Sequence, residues 1–242
     1  MRFWFFDFDG TLSSIVSDRT AAHLHPGCAL MLKRLADTPS EQVVIISSRR
    51  LDDIGGRVDV PDIIIGGCSG AEWQFPGGCR VSVNGKQAAA LEHARREILS
   101  ELFELAVGAG IDVEDKQWSI AVHTRMAPEE VRRDVEERLS AWGNKRGLTM
   151  YNGPSVLEVQ LIPDFNKSAG LAFLAGFMKI NPERDRIVYA GDDENDAVAM
   201  RWTLQHGGTA IMVGSRLEVP GAVYVPDQQA LTETVQTMLK SD

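Results

Sequence analysis

The sequence has 242 residues, of which 44% are hydrophobic and 24% are charged, and its formal net charge is −9. This composition is ordinary for a globular protein with one large or two small domains. The negative charge argues against a nucleic-acid partner, because such proteins need a basic surface to neutralise phosphates. A small anionic substrate is still compatible with it, since a bound cation can reverse the field at a site.

Cysteine usage and the lengths of the apolar runs bear on the compartment. Cys28, Cys68 and Cys79 are odd in number and lack the spacing of metal ligands, so they indicate neither a disulfide framework nor a zinc site. No apolar run approaches the length of a membrane span, and Asp7 interrupts the N-terminal run before it could be a secretion signal. We therefore expect a cytoplasmic protein with no membrane partner.

Residues 2–8 predict a buried strand, because apolar and aromatic side chains dominate them. Asp7 and Asp9 are expected at its C-terminal end, where Gly10 allows a sharp turn, since an unpaired buried charge is costly. At this spacing the two carboxylates lie roughly 6.6 Å apart along one side of the chain, so one is protonated or a cation lies between them. Ligands bind at such strand ends in open α/β sheets. The alternative is a turn that only caps the strand.

The next stretch alternates between helix and strand patterns. A helix is predicted from Pro26 through Leu35, and the β-branched run 42–47 predicts a strand that is buried on both faces. A short helix near 51–55 and a third strand at 62–65 follow. Alternation of this kind indicates right-handed βαβ units and a parallel sheet.

The pattern then changes to that of an α+β insert. We predict a hairpin at 72–83, a helix from about Lys86 and a strand at 118–124. A second helix is predicted from Pro128, followed by strands at 148–151 and 155–161. The strand at 118–124 alternates as if one face of its sheet were solvated. The turn between the last two strands is predicted at Asn152-Gly153-Pro154.

The first pattern returns after the insert. The remaining elements are predicted as a helix at 167–177, strands at 186–190, 209–213 and 222–225, and a helix at 228–240. Asn166 is placed to cap the first of these helices, and the acidic segment 191–196 follows the first of these strands. We expect a core domain formed by 1–82 and 162–242, and a cap domain at 83–161.

Four polar clusters follow buried strands or open a helix: Asp7 with Asp9, Ser47, Lys167, and Asp192 with Asp193 and Asp196. In one parallel sheet they would meet at a single edge. Clustered carboxylates without His or Cys suit Mg²⁺. A carboxylate, Mg²⁺, a lysine and a hydroxyl are the groups that phosphoryl transfer uses. Each cluster alone also fits a structural role, as a solvated lysine, a strand-end turn or a helix cap, so it is their order that favours an enzyme.

That order resembles the haloacid dehalogenase superfamily of phosphatases. The segment Asp7-Phe-Asp9-Gly-Thr-Leu is similar to its first motif, Ser47 to its second, Lys167 to its third, and 191–196 to its fourth. The resemblance spans essentially the whole chain. It implies an α/β fold, with a Rossmann-like core built on a parallel sheet and an inserted α+β cap of the C2 type.

The resemblance also implies a role for each motif residue. Asp7 would be the nucleophile and Asp9 the acid and base, with Lys167 as a further catalytic residue. Asp7, Asp192 and the backbone carbonyl of Asp9 would hold Mg²⁺. Asp193, Asn195 and Asp196 would support these ligands. Ser47 and Lys167 would bind the phosphate.

Within the superfamily the sequence is most similar to the trehalose-6-phosphate phosphatase family. The segments that carry this likeness are Val113 to Arg125, Gly153 to Val159, and Gly70-Ala-Glu72. The likeness implies a substrate site formed by Lys116, Glu158, His123, Arg125, Glu72 and Arg49, in which Lys116 and Glu158 hold sugar hydroxyls. The sequence departs from the family at Ser48, where glycine is usual, and at 160–163, where an Arg-Pro pair commonly stands.

The position of Lys116 carries a structural condition. Strict alternation along a strand places Lys116 on the face opposite His123 and Arg125. The three can serve one site only if the strand begins after Lys116 or contains a bulge.

The resemblance implies a phosphoric monoester hydrolase that converts trehalose 6-phosphate to trehalose and phosphate, for trehalose biosynthesis, through an aspartyl-phosphate. One alternative is a phosphatase of a mannosyl- or glucosyl-3-phosphoglycerate, which uses related caps. The other is a catalytically silent regulatory domain. The expected partner is a sugar phosphate, and a monomer is compatible with the pattern.

Overall fold

The computed structural model describes residues 1–83, 88–153, 155–162, 165–214 and 217–240, with only the backbone described at 88–90. The chain forms two compact units, one of Met1–Ser82 with Asn166–Asp242 and one of Val83–Phe165. The predicted helix start near Lys86, the turn residue Pro154 and Pro163 lie outside the described residues.

The elements are numbered along the chain. The strands are β1 Arg2–Phe6, β2 Glu41–Ile46, β3 Ile64–Gly67, β4 Glu72–Gln74, β5 Arg80–Ser82, β6 Asp112–Asp115, β7 Ser119–His123, β8 Met150–Gly153, β9 Val156–Gln160, β10 Arg186–Gly191, β11 Thr209–Val213 and β12 Val223–Val225. The α-helices are α1 Pro26–Ala36, α2 Leu51–Arg57, α3 Ala88–Leu105, α4 Glu129–Arg146, α5 Lys167–Met178, α6 Glu194–Gln205 and α7 Gln228–Lys240. None of the helices in the described part of the chain is long and apolar enough to cross a membrane.

The first unit contains an eight-stranded sheet with the order β12-β11-β10-β1-β2-β3-β4-β5. The strands from β12 to β3 are parallel, as the alternation of helix and strand predicted, and β1 lies between β10 and β2. The predicted hairpin at 72–83 is present as β4 and β5, and it adds two antiparallel strands to the edge beyond β3. The prediction of an α/β fold with a parallel sheet is therefore confirmed.

Successive side chains of β1 point to opposite faces of this sheet, and both faces are buried. Trp4 and Phe6 belong to one apolar cluster, which includes residues of α1 and α7. Phe5 belongs to the other, with residues of α5 and α6. Two-sided burial explains why β1 and β2 are continuous apolar runs rather than alternating ones.

The second unit contains a four-stranded antiparallel sheet with the order β6-β7-β9-β8. One face of this sheet packs on α3 and α4 through a cluster that includes Leu102, Leu139, Val122 and Val159. The unit is therefore an α+β insert, as predicted. Strand β6 was not predicted, because three of its four residues are acidic and give no apolar signal.

The prediction of a solvated face on the strand at 118–124 is wrong for β7. Ser119, Ile120, Ala121 and Val122 are all buried. On the polar side of β7, Ser119 Oγ donates a hydrogen bond to Glu158 of neighbouring β9 at 2.7 Å.

Candidate active site

The loop after β1 places two carboxylates at the C-terminal end of the central strand. Asp7 extends the pairing with β10, since its backbone N–H donates to the Ala190 carbonyl at 2.9 Å. Gly10 has a φ of 91°, and a Cβ at this position would lie 2.2 Å from Asp192 Oδ2. Glycine is therefore required for the loop to turn and to lie against the Asp192 carboxylate.

Lys167 joins the first and fourth motifs. It is the first residue of α5, where the Asn166 side chain caps the helix by accepting from two backbone N–H groups, as predicted. Lys167 is 1% exposed, and its Nζ donates to Asp7 Oδ1 and to Asp196 Oδ1, each at 2.6 Å. The lysine therefore lies as a buried cation between two buried carboxylates.

Asp196 holds this lysine in place. Its Oδ1 also accepts from the Tyr189 hydroxyl at 2.6 Å, and its Oδ2 accepts from the backbone N–H groups of Asp192 and Asp193 at 3.0 and 3.3 Å. Asp193 in turn accepts from the Asp196 backbone, which completes a capping box at the start of α6. The acidic segment thus caps a helix, as the structural alternative predicted, and also contributes to the charge cluster.

Burial and charge set the protonation states of this cluster. Burial, together with the charge of Asp196, raises the pKa of Asp7 well above its ordinary value, and Lys167 only partly opposes this. Burial tends to raise the pKa of Asp196, but Lys167 holds it below its ordinary value. Burial tends to lower the pKa of Lys167, but Asp196 and Asp7 keep it well above its usual range. Further positive charge would therefore favour an ionised Asp7.

Three carboxylates in this cluster could hold a metal ion. Asp7, Asp192 and Asp196 are buried, and one oxygen from each lies within 4.8 Å of the others. An all-oxygen set of this kind fits a hard divalent cation. Since both oxygens of Asp196 accept hydrogen bonds from Lys167, Tyr189 and the backbone, Asp7 and Asp192 are the more suitable direct ligands.

Ser47 and Asn195 lie on the elements around the cluster. Ser47 follows β2, is fully buried, and accepts the Arg49 backbone N–H at 3.2 Å. Asn195 accepts the Lys167 backbone N–H at 3.1 Å and donates to Ser69 Oγ at 3.1 Å, so it ties the start of α5 to the turn after β3. Sequence reasoning missed Ser69 and Tyr189. The available signals were a polar residue in the Gly-rich turn and a hydroxyl in an apolar strand.

Two residues of the predicted substrate set, Arg49 and Glu72, lie in the first unit. The Arg49 guanidinium is bidentate on Asp9, with Nε to Oδ2 and Nη2 to Oδ1 both at 2.7 Å. Glu72 begins β4 and is half-buried, in register with Gly67 of β3 and Ser82 of β5. The structure thus brings Arg49 to the predicted acid and base, Asp9.

The predicted cap residues separate into a pair and two others. Lys116 Nζ donates to Glu158 Oε2 at 3.0 Å, and both residues are buried. Strand β7 begins at Ser119, after Lys116, which is one of the two conditions for a shared site. His123 Nε2 lies 2.9 Å from Glu114 Oε2 on neighbouring β6.

Arg125 follows the end of β7 and is half-buried. Ser119 and Glu114 were not predicted as site residues, because their partners are close only through strand pairing.

The comparisons with known proteins agree with this architecture. The trehalose-phosphatase family model matches residues 5–222. A trehalose-phosphate phosphatase from Mycobacterium bovis is 31% identical over 204 residues, which are 84% of this chain and 51% of that protein. The chain therefore spans about half the length of the curated relatives it matches.

Two solved structures show the same fold at low sequence identity. The C-terminal domain of a trehalose-6-phosphate phosphatase from C. albicans has a TM-score of 0.80 at 17% identity, over 100% of this chain and 93% of that one. A haloacid dehalogenase-like hydrolase from Bacteroides thetaiotaomicron has a TM-score of 0.63 at 13% identity, over 98% and 99% of the two chains. With the family match over 5–222, these findings confirm the resemblance predicted from the motifs: the chain belongs to the trehalose-phosphatase family.

Proposed function

We propose that the chain is a Mg²⁺-dependent phosphatase that hydrolyses trehalose 6-phosphate to trehalose and phosphate. The observation that carries this proposal is the buried ion pair of Asp7 with Lys167, 2.6 Å apart at the end of the central strand, beside Asp192. Membership of the trehalose-phosphatase family supports the choice of a sugar phosphate. A cytoplasmic location and a role in trehalose biosynthesis belong to the same proposal.

Asp7 is the proposed nucleophile. One of its carboxylate oxygens attacks the phosphorus atom, the ester P–O bond breaks, and an aspartyl-phosphate forms. Lys167 lies at hydrogen-bond distance from Asp7 and is the cation that the chain itself provides for the charge on the transferred group. The raised pKa of Asp7 fits a site that needs additional positive charge before its nucleophile is fully ionised.

Asp9 is the proposed acid and base. It protonates the leaving sugar oxygen as the P–O bond breaks, and it then takes a proton from the water that attacks the aspartyl-phosphate. This second step releases inorganic phosphate and restores the Asp7 carboxylate. Asp9 is suited to the exchange because it follows Asp7 by two residues and its side chain is 38% exposed, so water can reach it.

Asp7, Asp192 and the backbone carbonyl of Asp9 are the proposed Mg²⁺ ligands, and the buried all-oxygen set fits such an ion. When bound, Mg²⁺ supplies positive charge that offsets the charge on the phosphate oxygens. Asp193, Asn195 and Asp196 keep the ligands and Lys167 in position through the capping box and the hydrogen bonds at the start of α5.

The remaining predicted residues are assigned to substrate. Ser47, with Lys167, binds the phosphate. Sugar hydroxyls are held best by charged partners, and the buried pair of Lys116 and Glu158 offers both a donor and an acceptor. The other proposed substrate contacts are His123, Arg125, Glu72 and Arg49.

A phosphate-release assay with a substrate panel tests the proposal. The panel is trehalose 6-phosphate, glucosyl-3-phosphoglycerate, glucose 6-phosphate and p-nitrophenyl phosphate, each with Mg²⁺ and with a chelator. We expect the highest kcat/KM for trehalose 6-phosphate and no release with the chelator. A preference for the phosphoglycerate would replace the substrate, and no release from any compound would favour a regulatory domain.

A further inference from the structure

A series of ion pairs with alternating charge connects Asp9, Arg49, Asp53 and Arg57, in this order. Arg49 is bidentate on Asp9, with both hydrogen bonds at 2.7 Å, and its Nη1 donates to Asp53 Oδ2 at 2.7 Å. The other oxygen of Asp53 accepts from Arg57 Nε at 2.8 Å. All four residues belong to the first unit, so this relationship exists within one compact body.

Helix α2 carries the last two residues of this series, Asp53 and Arg57. Asp53 and Arg57 lie four residues apart on one face of the helix, and Arg49, two residues before the helix start, donates to Asp53. Arg57 is fixed in turn, because its Nη1 donates to the Ala22 carbonyl at 2.8 Å and to the Thr20 carbonyl at 3.1 Å. Asp53 is therefore held at a defined position by a residue that is itself anchored to the backbone.

Arg49 is held on every side of its guanidinium. Its Nη2 also donates to the Arg19 carbonyl at 2.9 Å, and its Cζ lies 5.8 Å from the centre of the Phe8 ring. Its side chain is only 9% exposed. Burial tends to lower the pKa of Arg49, but the hydrogen bonds and charges of Asp9 and Asp53 raise it above its ordinary value. A planar bidentate pair has one good geometry, so fixing the Arg49 plane also fixes the Asp9 carboxylate.

Proton transfer to a leaving oxygen depends on this orientation, because an acid that is misplaced by about 1 Å can lose much of its effect. Each carboxylate oxygen of Asp9 has a second lone pair besides the one that Arg49 occupies. The pair with Arg49 therefore orients Asp9 without blocking the proton transfer. Asp53 does not contact the reacting atoms in this arrangement, and its influence passes through Arg49.

We propose that Asp53 is a positioning residue for the phosphatase reaction, which acts through Arg49 to hold the Asp9 carboxylate towards the leaving oxygen. This inference rests on the proposed function. It has a specific chemical consequence, because a poorly placed acid harms a reaction only in proportion to how much its leaving oxygen needs a proton. A p-nitrophenolate leaves without one, phenolate needs it more, and a sugar alkoxide needs it most.

The test compares three substrates with Asp53→Asn, which keeps the shape of the side chain and removes its charge. We measure kcat/KM, which reports the steps up to aspartyl-phosphate formation, for p-nitrophenyl phosphate, phenyl phosphate and trehalose 6-phosphate. We expect a loss within about threefold on the first, and a loss on the order of tenfold or more on the last, with phenyl phosphate between them. Phenyl and p-nitrophenyl phosphate are almost the same size, so a difference between them reports proton transfer and not binding.

The matched control is Asp52→Asn, which makes the same charge change one residue away. Asp52 is 73% exposed on its side chain and pairs with Arg80, so all three rates should stay at the wild-type value. In the Arg49→Lys background, Asp53→Asn should cause no further loss, because its effect passes through the arginine. If Asp53→Asn does not fold, Arg57→Gln releases Asp53 from the other side and should give the same graded pattern.

Equal losses on the three substrates, or no loss at all, would overturn the role of Asp53. No phosphate release by the wild-type chain from any of them would overturn the proposed function, and this role with it.

Discussion

Lys167 Nζ lies 2.6 Å from Asp7 Oδ1, although the two residues are 160 positions apart in the sequence. The same nitrogen lies 2.6 Å from Asp196 Oδ1. The loop after β1 and the helices α5 and α6, all in the first unit, thus meet at one buried cation. The ion pair connects the stability of the core to the proposed chemistry, because its loss leaves two carboxylates buried without their cation.

Lys167→Met should therefore affect both stability and turnover. Leaving Asp7 and Asp196 buried without this partner should cost about 3–5 kcal/mol of unfolding free energy. Loss of the positive charge at the nucleophile should lower kcat by roughly 10²-fold or more. Chemical denaturation and phosphate release measure the two effects. Lys33→Met, at an exposed position on α1, is the control and should change neither, whereas a Lys167→Met enzyme with wild-type kcat would exclude the lysine from the reaction.

Asp192→Ala tests the proposed metal site. Because Asp192 is buried beside Asp7 and Asp196, its removal should raise the Mg²⁺ concentration needed for half-maximal rate, or abolish activity at any concentration. A titration of p-nitrophenyl phosphate hydrolysis with Mg²⁺ measures this. An unchanged requirement would move the ligand role to Asp193 or Asp196.

Asp193 should make the cation-free protein less stable at higher pH. Burial and the charge of Asp196 raise the pKa of Asp193 from its ordinary value of 3.8 to about 7 in the folded chain. As the pH rises through this window the unfolded chain loses the proton first, so the free energy of unfolding falls, and above a pH of about 7 the loss is complete.

Asp193→Asn removes this titration and keeps a residue that can cap α6. We measure the melting temperature of the variant minus that of the wild-type protein, with a chelator present. This difference should be a few degrees larger at pH 8 than at pH 5. The same difference at both pH values would show that the carboxyl does not titrate in this range.

The pair of Lys116 and Glu158 should govern selectivity for the sugar. Glu158→Gln keeps the shape of the side chain and an acceptor for Ser119 Oγ, but it weakens the ion pair with Lys116. From kcat/KM for trehalose 6-phosphate, we expect a loss of about 1.5–3 kcal/mol of transition-state stabilisation. The kcat/KM for p-nitrophenyl phosphate should change little. Losses of equal size on both substrates would instead assign the pair to the structure of the second unit.

Local patterns predicted the core of the fold well. Strands buried on both faces, such as β1 and β2, have continuous apolar runs that stand out in a sequence, and the Asn166 cap marks its helix start. Strand β6 gave no such signal, because most of its residues are acidic. It forms a strand because it pairs with β7.

The site was predictable only where it follows these strand ends. Asp7 and Asp192 come directly after apolar runs, so parallel topology alone brings them to one edge. The contact of Tyr189 with Asp196 depends on side-chain direction, which the spacing of residue types does not give. The four-residue spacing of Asp53 and Arg57 fits one helix face, but the contact of Arg49 with Asp9 joins residues 40 positions apart and depends on the fold.

The most direct test of the account is to trap phosphate on Asp7. Asp9→Asn removes the group that would activate water, whereas p-nitrophenolate leaves without an acid, so the aspartyl-phosphate should accumulate when this variant is mixed with ³²P-labelled p-nitrophenyl phosphate and quenched in acid. We expect label in the peptide that contains Asp7, and no label in the Asp7→Asn/Asp9→Asn double variant. Label on another residue, or phosphate release by Asp7→Asn at a rate near that of the wild-type chain, would contradict the mechanism.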